Sequence, residues 1–317
     1  MKRLAILAIA LVAASGLSVV GSHAALAATV VHCPPTGTDD LQTAINNAPP
    51  GSQLVIYGTC TGNFDLNRNL TLVGQNAVLD GNNSGTVLSV DAGVTAVVDY
   101  LTIQHGNGFH GGGIQNAGTL TLNGATVSRN MAVEGGGIYN HGTMTLNGTT
   151  VSGNTASDEG GGIYSDGTMT IKSSTLSGNS AFDATIENDG TLTVTGSTIS
   201  NNTSETDGGA ITNDVSLTVT GANLTGNTAE SGGAIRNYDV MTVKSSSITA
   251  NAALDGGGIY NDGATTLSSS TVSNNTASDT GGGIFVETGT VTLRGSSVSP
   301  NSPNNCAPPG SVPGCTG

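Results

Sequence analysis

One phrase returns about every 24 residues along this chain, and it limits what the chain can fold into. "GGGIYNHGTMTLNGTTVSGN" stands at residues 135–154, and variants of it occur eight times between residues 110 and 301. The isoleucine after the glycines falls at Ile114, Ile138, Ile163, Ile186, Ile211, Ile235, Ile259 and Ile284, with spacings of 24, 25, 23, 25, 24, 24 and 25. Two further apolar columns follow it, one starting at Leu122 and Leu146 and one at Val127 and Val151. Within a copy the apolar residues alternate, as in Thr143-Met144-Thr145-Leu146. A period of two marks strands with alternate side chains inward. The segments are too short and too rich in Thr, Val and Gly for helices.

Three short strands in 24 residues cannot enclose a core of their own. Stacked on equivalent units, each strand pairs with its counterpart about 4.8 Å away. The expected fold is therefore all-β, a parallel β-helix or solenoid, in which each coil touches only its neighbours. Four inward residues per coil, such as Ile138, Met144, Leu146 and Val151, are worth roughly 1.5–3 kcal/mol each on burial. That exceeds the ordering cost of about 1 kcal/mol per glycine. An asparagine sits sixteen residues after each of the first seven isoleucines, from Asn130 and Asn154 to Asn275. Asn116, Asn140, Asn188, Asn213, Asn237 and Asn261 make a second column. Both columns are expected to be structural ladders, each amide bonding backbone and the next amide in the stack.

Residues 28–300 read as one β-helix domain, with eight regular coils over 110–300. Over residues 38–109, "LVIYGTC", "LTLVG", "AVLDG", "TVLSV" and "DYLTIQ" read as about three irregular coils. Ahead of them, Asp40-Leu41-Gln42-Thr43-Ala44-Ile45 reads as a short capped helix, stopped by Pro49-Pro50-Gly51 and placed to cover the first coil. Residues 1–27, with Lys2, Arg3, an apolar run and Ala25-Leu26-Ala27, read as a secretory signal peptide. The apolar run is too short to remain as a membrane span. The protein is thus expected to be secreted, extracellular or at the cell surface, with no membrane span after signal removal. In that setting Cys33 with Cys60, and Cys306 with Cys315, read as local disulfides, the second pair stapling a proline-rich tail over 301–317.

The chain carries a net charge of −14, and without Lys2 and Arg3 six basic residues face 22 acidic ones. Nucleic acid and anionic lipid need a cationic partner surface, so both are excluded.

The stretch "TDDLQTAINNAPPGSQLVIYGTCTGNF" followed by "LTLVGQNAVLDG" resembles the opening of right-handed parallel β-helix proteins of the pectin-lyase-like superfamily. The repeats resemble those of polymorphic outer-membrane proteins and other autotransporter passengers. The G-G-A-I of those families stands here as Gly208-Gly209-Ala210-Ile211, and their F-x-x-N as Val151-Ser152-Gly153-Asn154. The resemblance spans roughly residues 38–300 and implies a right-handed coil. It leaves function open, because the fold hosts lyases, hydrolases and adhesins alike. The phenylalanine of F-x-x-N is aliphatic throughout, and no membrane β-barrel sequence follows, so a complete autotransporter is not expected.

The resemblance also directs the search for chemistry to the G-G-G-I-Y-N face. Its outward column reads Gln115, Tyr139, Tyr164, Glu187, Thr212, Arg236, Tyr260 and Phe285. Tyr139, Tyr164, Tyr260 and Phe285 are candidates for stacking on sugar; the plainer expectation is that they stack on one another and stiffen the ladder. Acidic columns border the face, with Glu134, Glu159, Asp183, Asp207, Glu230, Asp255 and Asp279 on one side and Asp166, Asp189, Asp214, Asp262 and Glu287 on the other. Such columns stay solvated or take calcium, for which Asp183 and Asp207 are the candidates. No cofactor is expected, calcium in these columns being the possible exception.

The fourth coil departs most from the pattern, with Phe182-Asp183-Ala184-Thr185-Ile186-Glu187 in place of glycines and tyrosine. Glu187 and Asp189 should point outward there, near Asp214 and Arg236. Carboxylates spaced about 5–9.5 Å apart serve glycosidic acid/base chemistry. If the protein is an enzyme, a polysaccharide lyase or glycoside hydrolase, then Glu187, Asp189, Asp214 and Arg236 are its catalytic candidates. The paired aspartates, G-H-G and R-I-K of polygalacturonases and the R-x-P-x-x-R of pectate lyases are absent, and one arginine is little to hold an acidic polymer. A T-x-T ladder, as at Thr143 and Thr145 or Thr168 and Thr170, is similar to the ice-binding faces of some antifreeze proteins. The expected function is non-catalytic: an adhesin-like or envelope protein binding a glycan or cell surface. A carbohydrate-active enzyme is the alternative and ice binding the third.

Overall fold

A computed structural model describes residues 28–33 and 40–316; the expected signal peptide lies outside the described residues. A regular coil consists of strands Ile138–Asn140, Thr143–Asn147 and Thr150–Ser152, followed by a two-residue strand Thr155–Ala156. Each pairs in parallel with its counterpart in the next coil, Ile138 with Ile163, Thr143 with Thr168, Thr150 with Thr175 and Thr155 with Ser180. The isoleucine strands alone form an 11-stranded sheet running from Phe64–Leu66 to Cys306–Ala307. The architecture is the expected right-handed parallel β-helix of about eleven coils. The fourth, two-residue strand has no counterpart in the sequence reading, because two residues carry no periodicity.

Ile138, Met144, Leu146 and Val151 are no more than 1 % exposed, and their equivalents continue the same stacks through the rod. The asparagine columns are ladders, as expected. Asn227 is fully buried; its backbone N–H and its amide both donate to Asn251 Oδ1, and the amide also donates to the Ile199 carbonyl at 3.0 Å. Asn202 donates to Asn227 Oδ1 in the same way. In the second column Ser165 substitutes for asparagine, and Asn140 donates to its hydroxyl at 3.0 Å.

The three glycines that precede Ile114, Ile138, Ile163, Ile259 and Ile284 have two separate causes. Gly135 takes a left-handed backbone, φ +63°, which only glycine adopts without strain. A Cβ on Gly136 would meet the carbonyls of Thr155 and Gly161 at 2.4 and 2.5 Å, because successive corners stack backbone on backbone. The fourth corner is one residue shorter, and Ala184 holds the left-handed position there with φ +48°.

Helix Leu41–Asn47 forms with Asp40 as its N-cap, accepting from the Gln42 N–H at 3.0 Å. Leu41 and Ile45 are buried against the first coil, closing its end. A strand not anticipated from sequence, Thr29–His32, adds to Ser52–Thr61 ahead of the helix. Both expected disulfides are present, Cys33–Cys60 and Cys306–Cys315. The solenoid pattern runs past residue 300: Asn301 accepts from Asn275 at 3.0 Å, and Cys306–Ala307 pairs with the isoleucine strand of the preceding coil. No helix among the described residues is long and apolar enough to cross a membrane.

Replacing Asn227 with alanine strands the two buried donors of Asn202 and the Ile199 carbonyl. At about 1–3 kcal/mol per orphaned group with partial relaxation, Asn227→Ala is expected to cost roughly 2–5 kcal/mol. The check is the shift in guanidinium chloride midpoint against the parent protein.

Candidate functional site

Each three-residue isoleucine strand turns its first and last side chains inward and its middle one outward, so one outward residue per coil lines a long face. The corner before the strand forms one border. Backbone bridges align His110 with Glu134, Glu159 with Asp183, and Asp207 with Ser231 and Asp255. Ser231 thus stands where Glu230 was expected, because Glu230 lies one residue ahead of the register. The residue after each ladder asparagine forms the other border, carrying Asp166, Asp189, Asp214, Tyr238, Asp262 and Glu287 in turn.

Outward groups find their partners one coil on. The Tyr164 hydroxyl donates to Asp189 Oδ2 at 2.6 Å, Arg236 Nη2 lies 2.7 Å from Asp262 Oδ2, and the Tyr260 hydroxyl donates to Glu287 Oε2 at 3.4 Å. In each case a donor meets an acceptor. Glu187 is the exception, since its border residue one coil on is Asp214. Carboxyl oxygens of Glu187, Asp189 and Asp214 lie within 4.8 Å of one another.

The aromatic column is split at the same place. His110, Tyr139 and Tyr164 form one array, with the two tyrosine rings 5.0 Å apart and 10° from parallel. Arg236, Tyr260 and Phe285 form another, with the guanidinium carbon 3.6 Å from the Tyr260 centroid and the two rings 4.7 Å apart. Tyr139 and Tyr164 stack on one another, so each ring covers one face of its neighbour. Between the arrays Glu187 and Thr212 leave a notch, with Tyr164 and Arg236 three coil steps, about 14 Å, apart. The Tyr238 hydroxyl donates across the face to Asp207 Oδ2 at 2.5 Å beside this notch. Sequence reasoning placed Thr212 in the outward column without a role and passed over Tyr238. The signal for Tyr238 was positional: it follows Asn237 as Asp214 follows Asn213.

Of the residues expected as a catalytic set, the structure brings Glu187, Asp189 and Asp214 together and takes Arg236 into the second array, paired with Asp262 and stacked on Tyr260. The calcium candidates Asp183 and Asp207 lie near one another on the corner border, where the charge of Asp207 acts on Asp183 and Asp207 Oδ2 accepts from the Tyr238 hydroxyl. Glu187 points outward as expected but is only 5 % exposed, and its Oε2 has no hydrogen-bond partner. One carboxyl oxygen of each of the three lies within 4.8 Å of the others, so the group converges on one point. The reason is the common reach of each outward side chain toward the next coil's border. Glu187 itself is nearly closed to solvent, while Asp214 leaves the group open on one side.

Burial, followed by the charges of Asp214, Asp183, Asp189 and Glu159, raises the pKa of Glu187 well above the usual range. Burial also raises Asp183 and Asp214. Glu159, on the corner border, is raised from 4.5 to about 7, first by burial and then by Asp158, Asp189, Asp183 and Glu134. An acid whose folded pKa exceeds its unfolded value adds stability below the unfolded value and loses it as pH rises through the folded one. For Glu159 that window is about pH 4.5 to 7, and Glu187, Asp183 and Asp214 act in the same sense. The thermal unfolding midpoint is expected to fall between about pH 5 and pH 8, less steeply in Glu159→Gln. A midpoint that rises over this interval would contradict the electrostatics of the groove.

A family model described as right handed beta helix region matches residues 147–308, just over half of the chain. No curated protein and no solved structure matches it. The matched stretch runs from the end of the Thr143–Asn147 strand to just past the final strand of the isoleucine sheet, where stacking and register are regular. The chain belongs to the right-handed β-helix family.

Proposed function

We propose that this protein is an exported, non-catalytic β-helix of the adhesin-like or cell-envelope kind, which binds a glycan or cell-surface polymer along its strand faces. The observation that carries the reading is the state of Glu187. The carboxyl best placed for chemistry on the long face is 5 % exposed and held against Asp189 and Asp214, while the face itself runs through eleven coils. A repetitive rod whose central carboxyl is mostly covered suits binding to a repeating partner better than turnover of one. The two disulfides suit an oxidising compartment such as the cell exterior.

Retention on insoluble neutral and amine-bearing glycans, with no release of reducing ends or unsaturated uronides, is the expected result. Turnover that disappears in Glu187→Gln would replace this reading with the enzymatic one, and absence of retention on every glycan would remove it.

One observation favours a second reading. Thr121, Thr145, Thr170, Thr193, Thr218, Thr242, Thr266 and Thr292 form an unbroken column over eight coils. The neighbouring column is interrupted at Ser216, Val240 and Ala264. A regular row of threonines suits an ordered lattice such as ice. Thermal hysteresis that is lost in Thr145→Tyr would establish it; its absence at millimolar protein would dismiss it.

A further inference from the structure

The notch between the two aromatic arrays contains a contradiction in hydrogen bonding. Elsewhere on the face, tyrosine hydroxyls and an arginine reach carboxylates of the next coil. At Glu187 an acceptor replaces the donor, so carboxyl faces carboxyl. The buried Oε2 of Glu187 has no partner, and neither does the buried Thr212 Oγ1 on the adjacent rung. Asp189 is already oriented, because the Tyr164 hydroxyl holds its Oδ2 at 2.6 Å. The nearest guanidinium does not answer the charge, since Arg236 is paired with Asp262 at 2.7 Å. Asp214 is exposed, which leaves the cluster open to solvent on one side.

We propose that Glu187, Asp189 and Asp214 form a divalent-cation site that takes calcium. The carboxyl oxygens lie within 4.8 Å of one another, which fits ligands placed around one ion at 2.3–2.6 Å. Magnesium holds its ligands at about 2.0–2.1 Å in a strict octahedron and gives up its waters reluctantly, so it suits three carboxyls from successive coils less well. All three ligands come from oxygen, the donor that hard cations prefer. The ion supplies the positive partner that the ladder provides elsewhere by hydroxyl or guanidinium. It joins the fourth coil to the fifth where the aromatic stack is interrupted. The site stands independently of glycan binding, and either can fail without the other.

The test uses the full disulfide-bonded protein, freed of metal with a chelator and returned to constant ionic strength in sodium chloride. Calorimetric titration with calcium chloride is expected to show one site per chain with a Kd of about 10⁻⁴–10⁻³ M, the range of extracellular modules. Calcium should raise the thermal midpoint, and magnesium should bind at least tenfold more weakly. Glu187→Gln should abolish the site and Asp214→Asn should weaken it at least tenfold, while Asp91→Asn, on the same border but four coils from Asp189, leaves it intact. Far-ultraviolet circular dichroism of each variant verifies the fold. Terbium gives a local readout: tyrosine-sensitised luminescence should appear in the parent protein, where Tyr164 lies beside the cluster, and be lost in Glu187→Gln. Absence of a saturable site, binding unchanged in both Glu187→Gln and Asp214→Asn, or equal stabilisation by extra sodium chloride would each overturn the proposal.

Discussion

Every residue in a parallel solenoid stands beside its own equivalent about 4.8 Å away, and this requirement that like stack on like governs the molecule. Aliphatic side chains meet it by burying one another, as the Ile138–Ile163 and Met144–Met169 neighbours do. Asparagine meets it because an amide is donor and acceptor at once, so each rung satisfies the next. Tyrosine meets it by offset stacking. Carboxylates repel in such a stack, and where they do line up, as Asp166, Asp189 and Asp214 do on one border, the face supplies donors staggered by one coil, so that Tyr164 finds Asp189 and Arg236 finds Asp262.

That rule explains which parts were legible in advance. Columns of Ile, Leu, Val and Asn repeat because self-stacking selects the same residue each time, and a single sequence displays the selection eight times over. The ladders from Asn130 and from Asn116 could therefore be assigned before any coordinates. The corner glycines were legible as corners, but not as two requirements, a left-handed backbone at Gly135 and backbone-to-backbone stacking at Gly136. The face was less legible, because its contacts are diagonal. Periodicity reports what lies beside a residue in register; it does not report that Glu187 reaches toward Asp214 or that Tyr238 crosses to Asp207. The burial of Glu187 is likewise a property of side-chain reach, and an outward position in the pattern did not reveal it.

The fourth coil shows how local economy and local chemistry coincide. Its corner has lost one residue, Ala184 accepts the backbone conformation a glycine holds in neighbouring coils, and the outward tyrosine becomes glutamate. The isoleucine core and the asparagine ladder pass through this coil unbroken, with Ile186 and Asn202 fully buried. The rod thus tolerates an exception on one face because the other contacts of that coil remain intact, as expected where stability is a sum over neighbouring coils.

The two disulfides have a mechanical consequence for such a rod. Tension applied at its N-terminus would detach strand Thr29–His32 from its neighbour one bond at a time. The peeling stops at Cys33, whose bridge passes the load directly to Cys60 in strand Ser52–Thr61, so the cap helix between them carries none. At the other end Cys315 hands the load to Cys306, at the start of the last strand. The covalent links sit where unzipping would begin, and a pull on both termini must shear whole coils apart instead.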